Sequence, residues 1–570
     1  MKKWLVENKW IAIIIGGALL IRLASLFFAL PYSDVFGDEL NNTIIAFKIL
    51  ENHSLILTPE MGGYLPPLYS YLLAPIYGLI GFLGIISGAF SGLLDFKEFV
   101  ILHREWFLLP GRFLSALFGA GTVYLTYIFA RKIFDKRVAL LASFLLSISF
   151  LHVHESQVSH VWTPLVFFTV LGAYGFYCLS VSGERKWYWL AVISLGLGYA
   201  IGQIPIILYP FFIYAHFLFA VRTKTKFWNK NFIEANVLLM SLVAAFTFLN
   251  FYTVYKHFYD VLLALSQLIG WKPDFLANVR LMPSAIANFS LGNNWLFIFK
   301  SLFYDSPVVL LAALAGTAVV LRKFRIDARI VFLSVLPLYT LFVFSFIFYH
   351  FLCRYTLPAV PFLAISASYF VFWLWDRPFW KKSRVVLVFL IAAVSLYSLA
   401  ASGLYSFKLL KPYTLSSAIE WVYGNIPSGK RVVADVYLNS NKAGIEFLQK
   451  YNMYGWLDTR KKYLLQMPEA RYPDPNYFLI DTNLTDVASL PDKEKKADYG
   501  VVTFYSGEQE REQDKILDVF GPRELVFSLY PRGDKEYAKG LLNLEPHFFL
   551  GNIWSTRQIG PNVEIYRFVK

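Results

Sequence analysis

The chain has 570 residues, of which 57% are hydrophobic, 18% aromatic and only 16% charged. A soluble domain carries roughly a quarter charged residues, so this composition excludes one and predicts a polytopic α-helical membrane protein. The net charge of +14 falls largely in short Lys/Arg clusters between apolar runs, where it sets membrane orientation; that excludes nucleic acid as a partner and implies the lipid bilayer.

The first apolar run, residues 10–30, is too long for a cleaved signal and carries Arg22, so it reads as a retained anchor. A spanning helix needs about 20 mostly apolar residues, and further candidates fall at 110–130, 138–151, 161–181, 187–202, 203–221, 233–252, 304–321, 330–349, 355–375 and 385–405. With the ambiguous stretch 66–94 the expectation is about 11 to 13 transmembrane helices. The basic clusters "RKIFDKR", "GERK", "RTKTKFWNK", "RKFRIDAR" and "DRPFWKKSR" all belong to the cytoplasmic side by the positive-inside rule. The segment between the second and third must therefore cross twice, as a tight hairpin broken near Gly202 and Pro205.

The same parity puts 32–109, 152–160, 253–303 and 349–354 outside, with 66–94 expected to lie along or dip into the outer interface. Beyond residue 408 the pattern changes to short β-rich runs, at 476–482, 499–505, 523–530 and 563–569, with helical stretches between some of them. The expected organisation is a multi-spanning domain over 1–408 and a soluble, extracytoplasmic α/β domain over 409–570. Cys178 and Cys353 lie far apart with no ligand spacing, so neither a disulfide framework nor structural zinc is expected.

The outer segments hold the unusual polar residues. Asp34, Asp38 and Glu39 follow directly on the first span, and a late loop carries His and basic groups. Such an arrangement suits transfer of a group from a lipid-borne donor to an acceptor outside the cell, where no nucleotide sugar is available.

Four ordered motifs narrow this. "GDELNNTIIAFKIL" resembles the Asp-Glu motif in the first outer loop of GT-C glycosyltransferases of the protein O-mannosyltransferase and aminoarabinose transferase superfamily. "LPPLYSYLLAPIYGLIG" is similar to that family's Pro-Pro-Leu juxtamembrane helix, the stretch from "GRFLSALFGAG" to "LHVHESQ" to its next helix pair, and "RYTLPAVPFLAISASYF" to its late Arg-Tyr-x-x-Pro span. Two departures stand out: Tyr64 and Leu65 precede the two prolines where members often carry Lys or His, and the second outer loop reads "HESQVSHVWTP" where many have an Arg and an Asp.

The resemblance implies a GT-C fold and an inverting displacement, in which an acceptor hydroxyl of a glycan, lipid or protein attacks the anomeric carbon of a sugar carried on polyprenyl phosphate. Phosphate is already a weakly basic leaving group, so the chemistry asks for a carboxylate to take the hydroxyl proton and for cations around the departing phosphate. On this implication Asp38 is the expected base and Glu39 its neighbour in orienting base or acceptor, while Asp34, before the motif, is a solvated loop residue. Arg354 and Tyr355 match the family's Arg-Tyr; Lys256, His257, Arg280 and Arg112 are further phosphate candidates, since Arg suits bidentate phosphate contact. Tyr64, His154 and Glu155 are expected to line the acceptor cleft.

Simpler roles exist for each: Asp favours helix N-caps, and interfacial Arg and Tyr anchor helices. No cofactor is indicated; a divalent ion held by His154 and Glu155 is the lesser reading of the His152–His160 cluster. The rivals are a transporter, which would place ionisable residues at mid-membrane in paired repeats, and a noncatalytic cell-envelope assembly protein working through its outer domain. Arg22 is the one clear mid-span charge, no repeat is visible, and no oligosaccharyltransferase-type "WWD" occurs.

Overall fold

A computed structural model describes the chain except for residues 1–7, 33–36, 59–66, 252–253, 256–290, 324–326, 348–351, 379–383, 436–443, 445–447, 450–455, 469–471, 483–486, 488–489, 492–494, 536–542, 546–547, 550–551 and 570. Tyr64, Lys256, His257 and Arg280 lie outside the described residues, as does Asp34. Two compact units result: Met1–Ala24, Asn41–Pro75 and Pro110–Gly403 form the first, and Ser25–Leu40, Ile76–Leu109 and Leu404–Lys570 the second. The second unit therefore takes in two pieces of the first outer loop together with the C-terminal region.

The helices of the membrane region are α1 (Lys9–Leu23), α2 (Gly37–Asn52), α3 (Leu68–Ile86), α4 (Leu93–Leu102), α5 (Leu108–Ile133), α6 (Lys136–Ile148), α7 (Phe150–Ser156), α8 (Trp162–Ser182), α9 (Arg185–Gly202), α10 (Tyr209–Thr223), α11 (Lys230–Leu249), α12 (Leu291–Asp305), α13 (Pro307–Lys323), α14 (Leu336–Ile347), α15 (Val360–Trp375) and α16 (Arg384–Leu409). Among the described residues eight helical stretches are long and apolar enough to cross a membrane, or up to ten when each of two bent pairs counts as one span. The protein is thus a multi-spanning helical membrane protein. Its basic clusters sit at helix ends with local chemistry to match. Asp135 caps α6 by accepting from Arg137 N at 2.7 Å and Val138 N at 3.0 Å, Asn229 caps α11 through Phe232 N at 3.0 Å, and Gly183 ends α8 with φ +61, the conformation glycine adopts without cost. The expected hairpin break is at Gln203, left-handed at φ 56, followed by a 3₁₀ turn containing Pro205.

Three local expectations need correction. The span expected over 138–151 is not one helix: α6 and α7 meet at a 61° bend, because Ser149 takes extended backbone angles. The polar stretch 152–160, expected as an outer loop, begins inside α7, and every residue from His152 to His160 is buried. Part of the loop expected at 253–303 is also helical, since α12 runs to Asp305 and turns by 113° into α13.

In the second unit, α17 (Thr414–Asn425) leads into β1 (Arg431–Ala434), then come α18 (Trp456–Gln466), β2 (Phe478–Asp481), β3 (Tyr499–Phe504), α19 (Gly507–Asp518), β4 (Arg523–Leu529), the short β5 (Asn543–Glu545) and β6 (Phe548–Phe549), and β7 (Asn562–Phe568). The main sheet has the order β2-β1-β3-β7-β4. β1 pairs in parallel with β2 and β3, whereas β7 is antiparallel to β3 and β4. Alternation explains the layers. Val432, Ala434, Val501 and Ile565 pack with Ala418, Ile419 and Val422 of α17, while Val433, Ile480 and Val502 pack on the opposite side with Leu517 of α19. Successive strand residues point to opposite faces, so strands covered on both sides read as continuous apolar runs such as "VVA" at 432–434.

Candidate active site

In the membrane unit the site grows from the α6–α7 break. Breaking a helix orphans carbonyls on one side and N–H groups on the other, and in lipid each must be satisfied internally. Three distant side chains do so. Ser402 Oγ donates to Ile148 O at 2.8 Å. The Asp305 carboxylate, buried, accepts from Leu151 N at 2.9 Å and from Ser149 Oγ at 3.0 Å, capping α7. From the other side the buried Arg22 guanidinium donates to Ser147 O at 3.2 Å and Ala18 O at 2.8 Å, and pairs with His152 Nδ1 at 2.7 Å.

The break aims the following residues. His154 Nε2 lies 3.8 Å from Glu155 Oε1, both buried, and Thr163 Oγ1 donates to Glu155 O at 2.8 Å. Arg354 and His160 are within electrostatic reach of the His154 ring. Arg354 also stands 5.9 Å from the Tyr355 ring centroid, Tyr355 packs on Trp162 at 5.0 Å, and Trp162 stacks on His160 at 6.4 Å. Arg354, Tyr355, His154 and Glu155 are therefore brought together, although two lie on a 3₁₀ turn about two hundred residues after the others.

Arg112 is buried in the second turn of α5, whose N-terminal end packs against the connection between α7 and α8. A Cβ at Gly111 would fall 1.9 Å from Ser159 Oγ, His160 N donates to Ser115 Oγ at 3.4 Å, and the Tyr69 hydroxyl donates to Gly111 O at 2.7 Å. Gly119, two turns further along, is equally confined: a Cβ there would lie 2.4 Å from Ser156 Oγ and 2.8 Å from Arg22 Nε.

Asp38 and Glu39 lie in the first turn of α2, inside the helix rather than at a cap. Glu39 is fully buried, so it does not face water. Carboxylates in a first turn are favoured by the helix dipole. Arg22 occupies His152, and among the described residues no three His, Cys, Asp or Glu side chains converge as a metal site. Reasoning from sequence missed Asp305, named His152 only within the His152–His160 cluster and left Arg22 without a role; the available signal was that ionisable residues within membrane segments are costly and so rarely idle.

The α/β domain has its own partly buried acid. Asp435, following β1, accepts from Thr503 N and Oγ1, each at 2.9 Å. Burial, partly offset by those hydrogen bonds, pushes its carboxyl up to about 7.

Fold and site define a class: an integral membrane protein of many spans, with a buried charged centre and an appended α/β domain. The family model described as dolichyl-phosphate-mannose-protein mannosyltransferase matches residues 66–265. Neither a transporter nor a noncatalytic assembly protein is favoured by that match. Over 87 residues the chain is 36% identical to an uncharacterized protein of Aquifex aeolicus (strain VF5), a stretch that takes in 15% of this chain and 17% of that one. Among solved structures it is similar to ArnT from Cupriavidus metallidurans bound to undecaprenyl phosphate, with 12% identity, 98% of each chain covered and a TM-score of 0.48. It is also similar to the oligosaccharyltransferase AglB from Archaeoglobus fulgidus in complex with an inhibitory peptide and a dolichol-phosphate, with 15% identity, 95% of this chain and 75% of that one covered and a TM-score of 0.47.

Proposed function

We propose that the protein transfers a sugar from a polyprenyl-phosphate donor to a hydroxyl of a glycan, lipid or protein on the outer face of the membrane. The carrying observation is the convergence of Arg354, Tyr355, His154 and Glu155 in a membrane unit, where buried ionisable groups are expensive to keep. The family match over 66–265 agrees with it, because the enzymes that model describes use dolichyl-phosphate mannose.

In this reading the acceptor oxygen attacks the anomeric carbon as the bond to phosphate oxygen breaks. The hydroxyl proton passes to the Asp38 carboxylate, and the bonding pair leaves on polyprenyl phosphate. Glu39 orients the base or the acceptor. Arg354 and Arg112 hold the leaving phosphate, with Lys256, His257 and Arg280 as further cations, and Tyr355 supports Arg354; Tyr64, His154 and Glu155 line the acceptor cleft. An odd number of crossings, eleven by charge parity, puts the C-terminal domain outside the cytoplasm.

The test supplies purified full-length protein with labelled polyprenyl-phosphate sugars and candidate acceptors. Wild type is expected to transfer, and Asp38→Asn to lose transfer by on the order of 100- to 10,000-fold. Undiminished transfer by Asp38→Asn would overturn the base assignment, and rejection of every polyprenyl donor would overturn the reading as a whole.

A further inference from the structure

The end of the last span and the loop leading into β7 both lie in the second unit and are tied together there. α16 has two faces. Phe389, Leu396, Leu399 and Phe407 recur at helical spacing and are exposed, as is Leu410 just beyond the helix, whereas Tyr405, Lys408 and Leu409 are buried. An exposed apolar stripe along a membrane-spanning helix faces lipid. Lys408 and Lys411 close that stripe, and cations at the end of a span reach for the headgroup zone.

Both lysines also hold the loop. Lys408 Nζ donates to Thr556 Oγ1 at 3.2 Å, and Lys411 Nζ to Arg557 O at 3.0 Å. The Lys411 ammonium stands 5.3 Å from the Phe407 ring centroid, so a single cation joins a lipid-facing ring to the backbone of the domain. Further along, Thr414 N donates to Ile559 O at 3.1 Å and Thr414 Oγ1 to Pro561 O at 2.9 Å. Gly560, at φ +137, is required at this approach, because a Cβ there would fall 1.8 Å from Thr414 Oγ1. These bonds seat residues 556–561 on the end of α16 and the start of α17.

Immediately before the seat, the short helix α20 (Asn552–Ser555) presents Trp554, which is 53% exposed. Among the described residues Trp554 belongs to neither apolar core of the sheet. A large ring with one polar N–H suits the zone between acyl chains and headgroups, where Trp is enriched.

We propose that Trp554 is a membrane-interface anchor of the C-terminal domain, entering the headgroup zone of the bilayer that α16 crosses, at the level of Phe407 and Leu410. Its occupant is lipid, because the lipid-facing stripe of α16 runs up to the seat and the lysines that hold the loop belong to that same helix end. The anchor depends on no assignment of a catalytic residue.

The experiment uses full-length protein in nanodiscs of phosphatidylethanolamine and phosphatidylglycerol, with a nitroxide attached to Trp554→Cys. Cys178 and Cys353 are both buried, so labelling is directed to the introduced thiol. Leu410→Cys supplies the level of the span's end, and Glu512→Cys, exposed on α19, the aqueous reference. Ser555→Cys, also exposed, keeps the Trp554 side chain and reports the same level should Trp554→Cys fail to assemble. Power-saturation EPR compares collisions with oxygen, which concentrates in lipid, and with a hydrated nickel chelate, which hydrocarbon excludes. The oxygen-to-nickel ratio for Trp554→Cys is expected to be several-fold above that for Glu512→Cys and close to that for Leu410→Cys. In the Ser555→Cys background, adding Trp554→Ala should lower the ratio toward the aqueous reference. A ratio for Trp554→Cys and Ser555→Cys equal to that of Glu512→Cys would overturn the proposal. Protection from both reagents would overturn it too, since it would show a second copy or another protein over Trp554 in place of lipid.

Discussion

The α6–α7 break and the C-terminal sheet solve one problem in opposite ways. Both must satisfy buried backbone groups. In the sheet the ladders do so periodically, β1 exchanging bonds with β2 and β3 and β7 with β3 and β4, so any apolar residue of suitable shape fits each position. At the break no ladder exists, and Arg22, Asp305 and Ser402 satisfy individual groups from distant points of the chain. The first solution is redundant, and the second depends on single side chains.

That contrast can be broken by experiment. The largest effect is expected from Arg22→Met, which leaves Ser147 O and His152 Nδ1 without their donor; a loss of about 3–5 kcal/mol should follow from orphaning such groups in a dry interior, read as a lowered unfolding midpoint in detergent. If Arg22→Met unfolds like wild type, the break does not depend on that side chain.

The next effect belongs to the sheet and depends on pH. Asp435 is held at about 7 in the fold, above the usual unfolded value near 3.9. The folded state therefore binds more protons between these values, and stability is greatest at low pH and falls as pH rises through about 7. The fall is at most about 1.4 kcal/mol for each pH unit crossed between the two values, and smaller once the domain relaxes, so a loss of roughly 2 kcal/mol is expected between pH 5 and pH 8. Proteolytic nicking of the domain in the full-length protein should rise over that window, and Asp435→Asn should flatten the rise. An identical pH profile in that variant would remove Asp435 as the cause.

The smallest effect sharpens the comparison. Asp305→Ala removes the cap of α7 and should cost about 1–2 kcal/mol, whereas Asp305→Asn, still an acceptor, should recover much of it. Matching unfolding midpoints for the two variants would show that charge, rather than capping, is what the site uses.

The same contrast explains what could be read in advance. Strands β2, β3 and β4 fall within the runs expected at 476–482, 499–505 and 523–530, and β7 begins one residue before the run expected at 563–569, because a two-residue period is written locally. The hairpin break at Gln203 and Pro205 was legible too, since Gly and Pro punctuate the chain. The bend at Ser149 carried no such mark; "LLSISFLHV" reads as uninterrupted helix, and the residues that permit the bend lie at 22, 305 and 402. Among the candidate residues, the Arg354–Tyr355 pair and the Asp38–Glu39 pair were visible as motifs. The meeting of Arg354 with His154 was not, because pairing across such sequence separation is written only in three dimensions.

Gly119 draws one last consequence from the break. Its missing Cβ is the space in which Ser156 and Arg22 sit, so even alanine there would push on both. In a survey of all single substitutions, Gly119 should score as intolerant as a residue that handles substrate. A map of intolerance would then outline the scaffold of the centre along with its chemistry, and separating the two would require assays of folding beside assays of transfer.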